Sequence, residues 1–150
     1  SAHGNWLRTR PEDYSPQVRA RLEQGFAIPA AAYIDSLRLR GVALRAFSDQ
    51  VFSKVDVLHA PVVAFQTPTI AETDVGGGPK MATLLAQVTR LTRPGNFLGV
   101  PALSVQAGFT KSGMPVGMQL LGRPFDEATL FALGHAYQGA TEFHRQAPAL

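Results

Sequence analysis

The sequence predicts an α/β protein in which a mixed β-sheet is flanked by helices. Three observations carry that expectation. Ile34, Leu37, Gly41, Leu44, Phe47 and Val51 recur at spacings of three and four, the period of a helix with one buried face. Val55 to Phe65 is a β-branched apolar run broken by Pro61, which reads as a buried strand ending at that proline. Ala102–Phe109 and Val116–Leu121 are two more such runs, and Lys111-Ser112-Gly113 between them supplies a hairpin turn. A hairpin among alternating helices and strands favours a mixed sheet over a purely parallel one.

Taken in order, residues 1–14 read as polar and irregular, with Pro11 and Asp13 marking a turn. Ser15 before Pro16 is an N-cap and first-turn pair, so a short helix is expected from 16 to 24, stopped by Gly25. The long periodic segment predicts helix from 30 to 52. Residues 66–80, with Pro68, Gly76-Gly77-Gly78 and Pro79, read as a long surface loop. Met81 to Leu91 is helical, with Leu84, Leu85, Val88 and Leu91 on one side, and Arg93-Pro94-Gly95 ends it because a proline biases its predecessor away from helix. After the hairpin, Asp126-Glu127 opens a last helix bearing Leu130, Leu133 and Tyr137 and fraying near Gly139. A buried strand such as 55–60 wants neighbours on both edges, and the few strands found make an incomplete sheet, which hints at a piece of something larger.

With 150 residues, 45% of them hydrophobic and 17% charged, the chain can bury a core and is wrong for disorder. It has no cysteine, which excludes a thiol nucleophile, a disulfide framework and a thiolate metal site. No apolar run reaches the roughly 18 residues of a membrane span, and the amino terminus lacks the regions of a signal peptide, so a cytoplasmic protein without membrane partners is the expectation. The net charge of +3 comes from scattered arginines, with no dense basic stripe, so nucleic acid is not expected as a partner.

A search for catalytic groups finds none. No serine sits in a G-x-S-x-G elbow, and the four histidines show no metal-ligand spacing, so neither a metal nor a cofactor is implied. His59 and Asp56 are three apart in a strand and would face opposite ways. The triple glycine before Lys80 lacks the rest of a phosphate loop. Of Arg19 and Arg21, which diverge on a helix, Arg21 is the better candidate for an anionic or carboxamide group, set against the plainer reading of a solvated helix face. Asn96, between Gly95 and Gly99, is a candidate for substrate contact, although bracing of its own loop is the favoured reading.

The segment Thr92–Leu130 resembles the C-terminal portion of the amidase signature family. The residues that carry the resemblance are Asn96, Gly99, Pro101, Ala102, Ser104 and Gly108, then Gly113, Pro115, Val116, Gly117, Gln119 and Gly122, and finally Glu127. Upstream, the stretch from Tyr14 to Gly25 is similar to the family's short arginine-bearing helix. The stretch from Ala31 to Val63 is similar to its long helix and the strand after it.

The resemblance implies a carboxamide-hydrolysing enzyme with a Ser–cis-Ser–Lys triad and backbone amides for the oxyanion. No counterpart of the triad is found in this chain, so residues 1–150 are expected to be the C-terminal fragment of a single amidase signature domain, inactive alone. The implied partners are a small amide substrate and the N-terminal part of the same enzyme, and a homo-oligomer is compatible. Members vary with substrate from Thr89 to Asn96. The first alternative is the A component of the glutamyl-tRNA amidotransferases, which places an aspartate near Thr89 for the glutamine amino group. A threonine there argues against glutamine, although Arg21 matches the carboxylate-binding arginine of those proteins. The second alternative is a non-catalytic binding module derived from the fold. A fragment is expected to expose a broad apolar face or bury it against another chain.

Overall fold

A computed structural model describes residues 2–148. The chain divides into two compact units, Ser1–Arg38 with Pro68–Ala86 and Leu39–Thr67 with Gln87–Leu150.

The first unit is helical. Residues expected to be irregular form α1 (Gly4–Thr9), whose buried members are Gly4 and Leu7. A single buried leucine in six residues leaves no periodic signal to read. Helix α2 (Pro16–Glu23) starts as expected: Pro16 occupies the first turn, and the Ser15 hydroxyl accepts from the Val18 N–H at 3.5 Å. The segment read as a loop contains α4 (Ile70–Thr73), one turn closed by a capping box. Thr69 donates to the Glu72 carboxylate from its N–H at 2.7 Å and its hydroxyl at 2.8 Å, and the Glu72 N–H returns to the hydroxyl at 3.2 Å. Gln17 ties this turn to α2 by donating to the Thr73 carbonyl at 3.1 Å and to Asp74 at 3.2 Å. A Cβ on Gly77 would stand 3.0 Å from Ala20 Cβ and 3.1 Å from the Pro16 carbonyl oxygen, so the glycine run serves close approach to α2. Helix α5 (Pro79–Val88) follows.

Helix α3 (Ala30–Phe47) continues through a π-helical turn, Ser48–Phe52. In the second unit, strands β1 (Val57–Pro61), β2 (Ala102–Phe109) and β3 (Pro115–Gly122) form a sheet in the order β1-β3-β2, and both pairings are antiparallel. The hairpin is present, and its β2 strand carries a bulge between Gln106 and Gly108. Strand β1 lies at an edge and is only partly covered, where a buried strand was expected. The α/β class is as the sequence predicts, while the sheet expected to be mixed is antiparallel throughout these three strands.

The register assigns the sheet's two faces. Val105, Leu120, Leu103, Met118 and Val57 pack on Leu130 and Tyr137 of α7 (Glu127–Ala140). That helix seats closely because two glycines admit it. A Cβ on Gly134 would stand 2.6 Å from Leu103 Cδ2, and one on Gly122 would stand 3.1 Å from Leu130 Cγ. On the other face, Leu121 and Leu58 meet Phe52, Leu98 and Val100, with Ala43, Leu44, Phe47 and Val51 added from α3 and its π turn. Phe47 and Phe52 stack edge to face at 5.5 Å.

Candidate functional site

The segment from Thr89 to Gly99 holds two of the three candidate residues, and it is built around a proline whose role differs from the one expected. Helix α5 ends at Val88, and Pro94 does not stop a helix but starts α6 (Arg93–Leu98) from its first turn. Its missing N–H falls where helical N–H groups have no partner anyway. Gly99 then closes α6 in the left-handed region, φ 72°, with its N–H on the Gly95 carbonyl at 2.9 Å.

Besides Leu98, whose buried side chain meets Leu121, two contacts fix this segment on the sheet. Gln119, buried in β3, donates from Nε2 to the Leu91 carbonyl at 2.9 Å and to the Pro61 carbonyl at 3.0 Å. Gly95 is buried, and a Cβ there would stand 3.2 Å from Leu121 Cδ2. The Arg40 guanidinium of α3 lies directly against Gly99. In the sequence Gln119 stands out only as one letter of a family motif. The signal for its role is an amide in a strand whose neighbours Leu120 and Leu121 are buried and apolar.

Thr89 is half-buried. Its hydroxyl oxygen accepts from the Arg93 guanidinium at 2.7 Å, and its carbonyl accepts from the Arg93 N–H at 2.8 Å. Asn96 is exposed on α6, and its N–H closes onto the Thr92 carbonyl at 3.2 Å. Its side-chain amide has no hydrogen bond to the loop among the described residues, so the bracing role favoured from sequence is corrected: backbone bonds and Gly95 packing hold the turn. Thr89 and Asn96 thus share one segment of the second unit. Arg21 belongs to the first, exposed in the last turn of α2. Its neighbour Arg19 is engaged with Glu23 at 2.8 Å.

Chemistry is sparse elsewhere. Among the described residues, serine hydroxyls meet backbone groups or Thr110: Ser15 on the Val18 N–H, Ser36 on the Ala32 carbonyl, Ser53 on the Asp49 carbonyl and Ser112 with Thr110. Among the described residues no group of three His, Cys, Asp or Glu could hold a metal, and no helix is long and apolar enough to cross a membrane. His59 is exposed on β1, and Asp56 is paired instead with Arg123 at 3.1 Å. A cleft of about 280 Å³ between Val63–Thr67 and Thr110–Gly117 has no acid or base in its lining. Glu72 carries the one resolved pKa shift among the described residues, lowered first by the Thr69 N–H and then by its hydroxyl. The arrangement offers a wall and hydrogen-bonding groups, and among the described residues no nucleophile paired with a base.

A family model described as Amidase matches residues 3–131. The glutamyl-tRNA(Gln) amidotransferase A chain of Chloroflexus aurantiacus is 42% identical over 149 residues, covering 95% of this chain and 29% of that protein. Putative amidase AmiD of Mycobacterium tuberculosis is 36% identical over 147 residues, covering 98% and 30%. A solved structure titled "Crystal structure of amidase" superposes with TM-score 0.72 at 30% identity, covering 92% of this chain and 31% of that one. A second, from a study of a vestigial protein complex and the origins of an s-triazine catabolic enzyme, gives 0.73 at 28% identity, covering 93% and 30%. The chain spans about three tenths of the length of the curated relatives it matches.

Proposed function

The chain belongs to the amidase family, and from that premise we propose that it is the C-terminal portion of a longer amidase hydrolysing the C–N bond of a small, non-peptide carboxamide. The single observation that carries this reading is the family match along residues 3–131, in a chain whose described groups offer no nucleophile and base together. The catalytic serine, its cis-linked partner serine and the lysine base then belong to polypeptide outside these 150 residues. The serine attacks the carbonyl, the second serine relays the proton, and the neutral lysine takes it up.

On this reading the present residues shape the acyl pocket. Gln119 sets the depth of the Thr89–Gly99 segment by holding Leu91, Asn96 offers its exposed amide to the substrate, and Thr89 carries no carboxylate and holds the Arg93 guanidinium. Taken by itself in the first unit, Arg21 would bind an anionic or carboxamide group. Hydrolysis of a carboxamide panel by the longer protein, with ammonia release, tests the reading. Mapping by a serine-directed probe should place the labelled serine outside these residues. A folded longer protein that hydrolyses no amide, or a labelled serine within this chain, overturns it.

A second reading, the A component of a glutamyl-tRNA(Gln) amidotransferase, is favoured by the 42% identity to the Chloroflexus protein. It predicts glutaminase activity in the longer protein. Thr89, standing where that reading expects a carboxylate for the glutamine amino group, speaks for the hydrolase. A binding module without catalysis is the outcome left if neither activity is found.

A further inference from the structure

Helix α3 has two different sides. Asp35, Arg38, Val42 and Arg45 follow one another at spacings of three and four, and Leu39 falls between Asp35 and Val42, so three charges share a side with an exposed leucine and valine, and Asp35 pairs with Arg38 at 3.4 Å. Tyr33, Leu37, Leu44 and Phe47 run along the opposite side. Toward the C-terminal end that side is core, because Leu44 and Phe47 pack with Phe52, Leu98, Val100 and Leu121. Toward the N-terminal end it is bare, with Tyr33 61% and Leu37 49% exposed and Ile34 on the flank at 48%. Every residue from Glu23 to Val42 is exposed, Phe26 and Ile28 included. Arg40 is the charge on the apolar side, and its guanidinium is already laid against Gly99.

We propose that the apolar side of α3 around Tyr33 and Leu37 is a docking surface for polypeptide of the same longer protein outside these 150 residues. This rests on the reading that the chain is part of a longer amidase. The occupant follows from the share of such a protein that this chain makes up: it covers 29% to 31% of its relatives and structural neighbours, so roughly two thirds or more of the polypeptide is available to cover the bare side. A partner segment must present uncharged aliphatic or aromatic side chains. The charged side of the helix stays in water.

The chain has no cysteine, so a thiol introduced into it can be followed by peptide mapping of the longer protein. Leu37→Cys and Val42→Cys are labelled with a small maleimide in the folded and the urea-unfolded protein. The inference expects folding to slow labelling of Leu37→Cys by at least on the order of a hundredfold and to leave Val42→Cys nearly unprotected. Equal rapid labelling of both overturns it. Protection of Leu37→Cys that rises with protein concentration alongside a dimer mass makes the occupant a second copy, and also overturns it. Leu37→Glu should lower the melting temperature and Val42→Glu should not. If Leu37→Glu does not fold, the labelling decides. Amide hydrolysis measured on the same samples separates the two claims: an inactive protein with Leu37→Cys protected fails the catalytic reading alone, and an active one with Leu37→Cys labelled fails this inference alone.

Discussion

Gln119 satisfies two backbone carbonyls, at Leu91 and Pro61, that come from segments far apart in sequence. Replacing it with leucine keeps the volume and leaves both oxygens without a donor, so Gln119→Leu should cost about 1–3 kcal/mol in urea unfolding of the longer protein. Its role was not legible in sequence because its partners are main-chain groups 58 and 28 residues away, which no side-chain pattern records. Asn96 shows the converse: an asparagine between glycines suggested a brace, yet the turn is held by Gly95 and backbone bonds. Glu72 gives a pH-dependent test. Its carboxyl is lowered from 4.5 by the Thr69 N–H, so protonation opposes the capped turn. The capping contribution is complete above the ordinary value of 4.5 and disappears as pH falls through the lower folded value. Chemical shifts of the Thr69 amide should follow that titration, and Glu72→Gln should abolish the dependence.

Periodicity served well for elements that carry a regular apolar stripe, whether or not that stripe is buried. The long α3, the hairpin and α7 were all legible, because each repeats its apolar positions over several turns or alternations. Helices α1, α4 and α6 were not. They are four to six residues long, bury two residues or fewer each, and are fixed by a cap, a proline or a neighbour. Helix α7 supplies a paired test. Gly134→Ala places a methyl 2.6 Å from Leu103 Cδ2 and should destabilise by about 1–3 kcal/mol through overpacking. Gly139→Ala, with nothing within 4 Å of its Cβ, should raise stability by about 0.5–1 kcal/mol. Thermal melts of the two variants should therefore move in opposite directions.

For the molecule as a whole, the fold class and family were readable in 150 residues, while the chemistry was not: on the proposed reading the reacting groups belong to other polypeptide. The chain alone should therefore remain unlabelled by a serine-directed probe under conditions that label the longer protein, checked by intact mass. Two of the three tethers on the Thr89–Gly99 segment act through its main chain, the third being the Leu98 side chain. Gln119 grips a main-chain oxygen at Leu91, and Gly95 meets Leu121 through the bareness of its own backbone. Neither anchor reads the identity of the side chains at Thr89, Arg90, Arg93, Asn96 or Phe97. Apart from Leu98, whose side chain is core, a stretch fastened by its main chain can exchange its outward side chains while the sheet beneath it stays as it was.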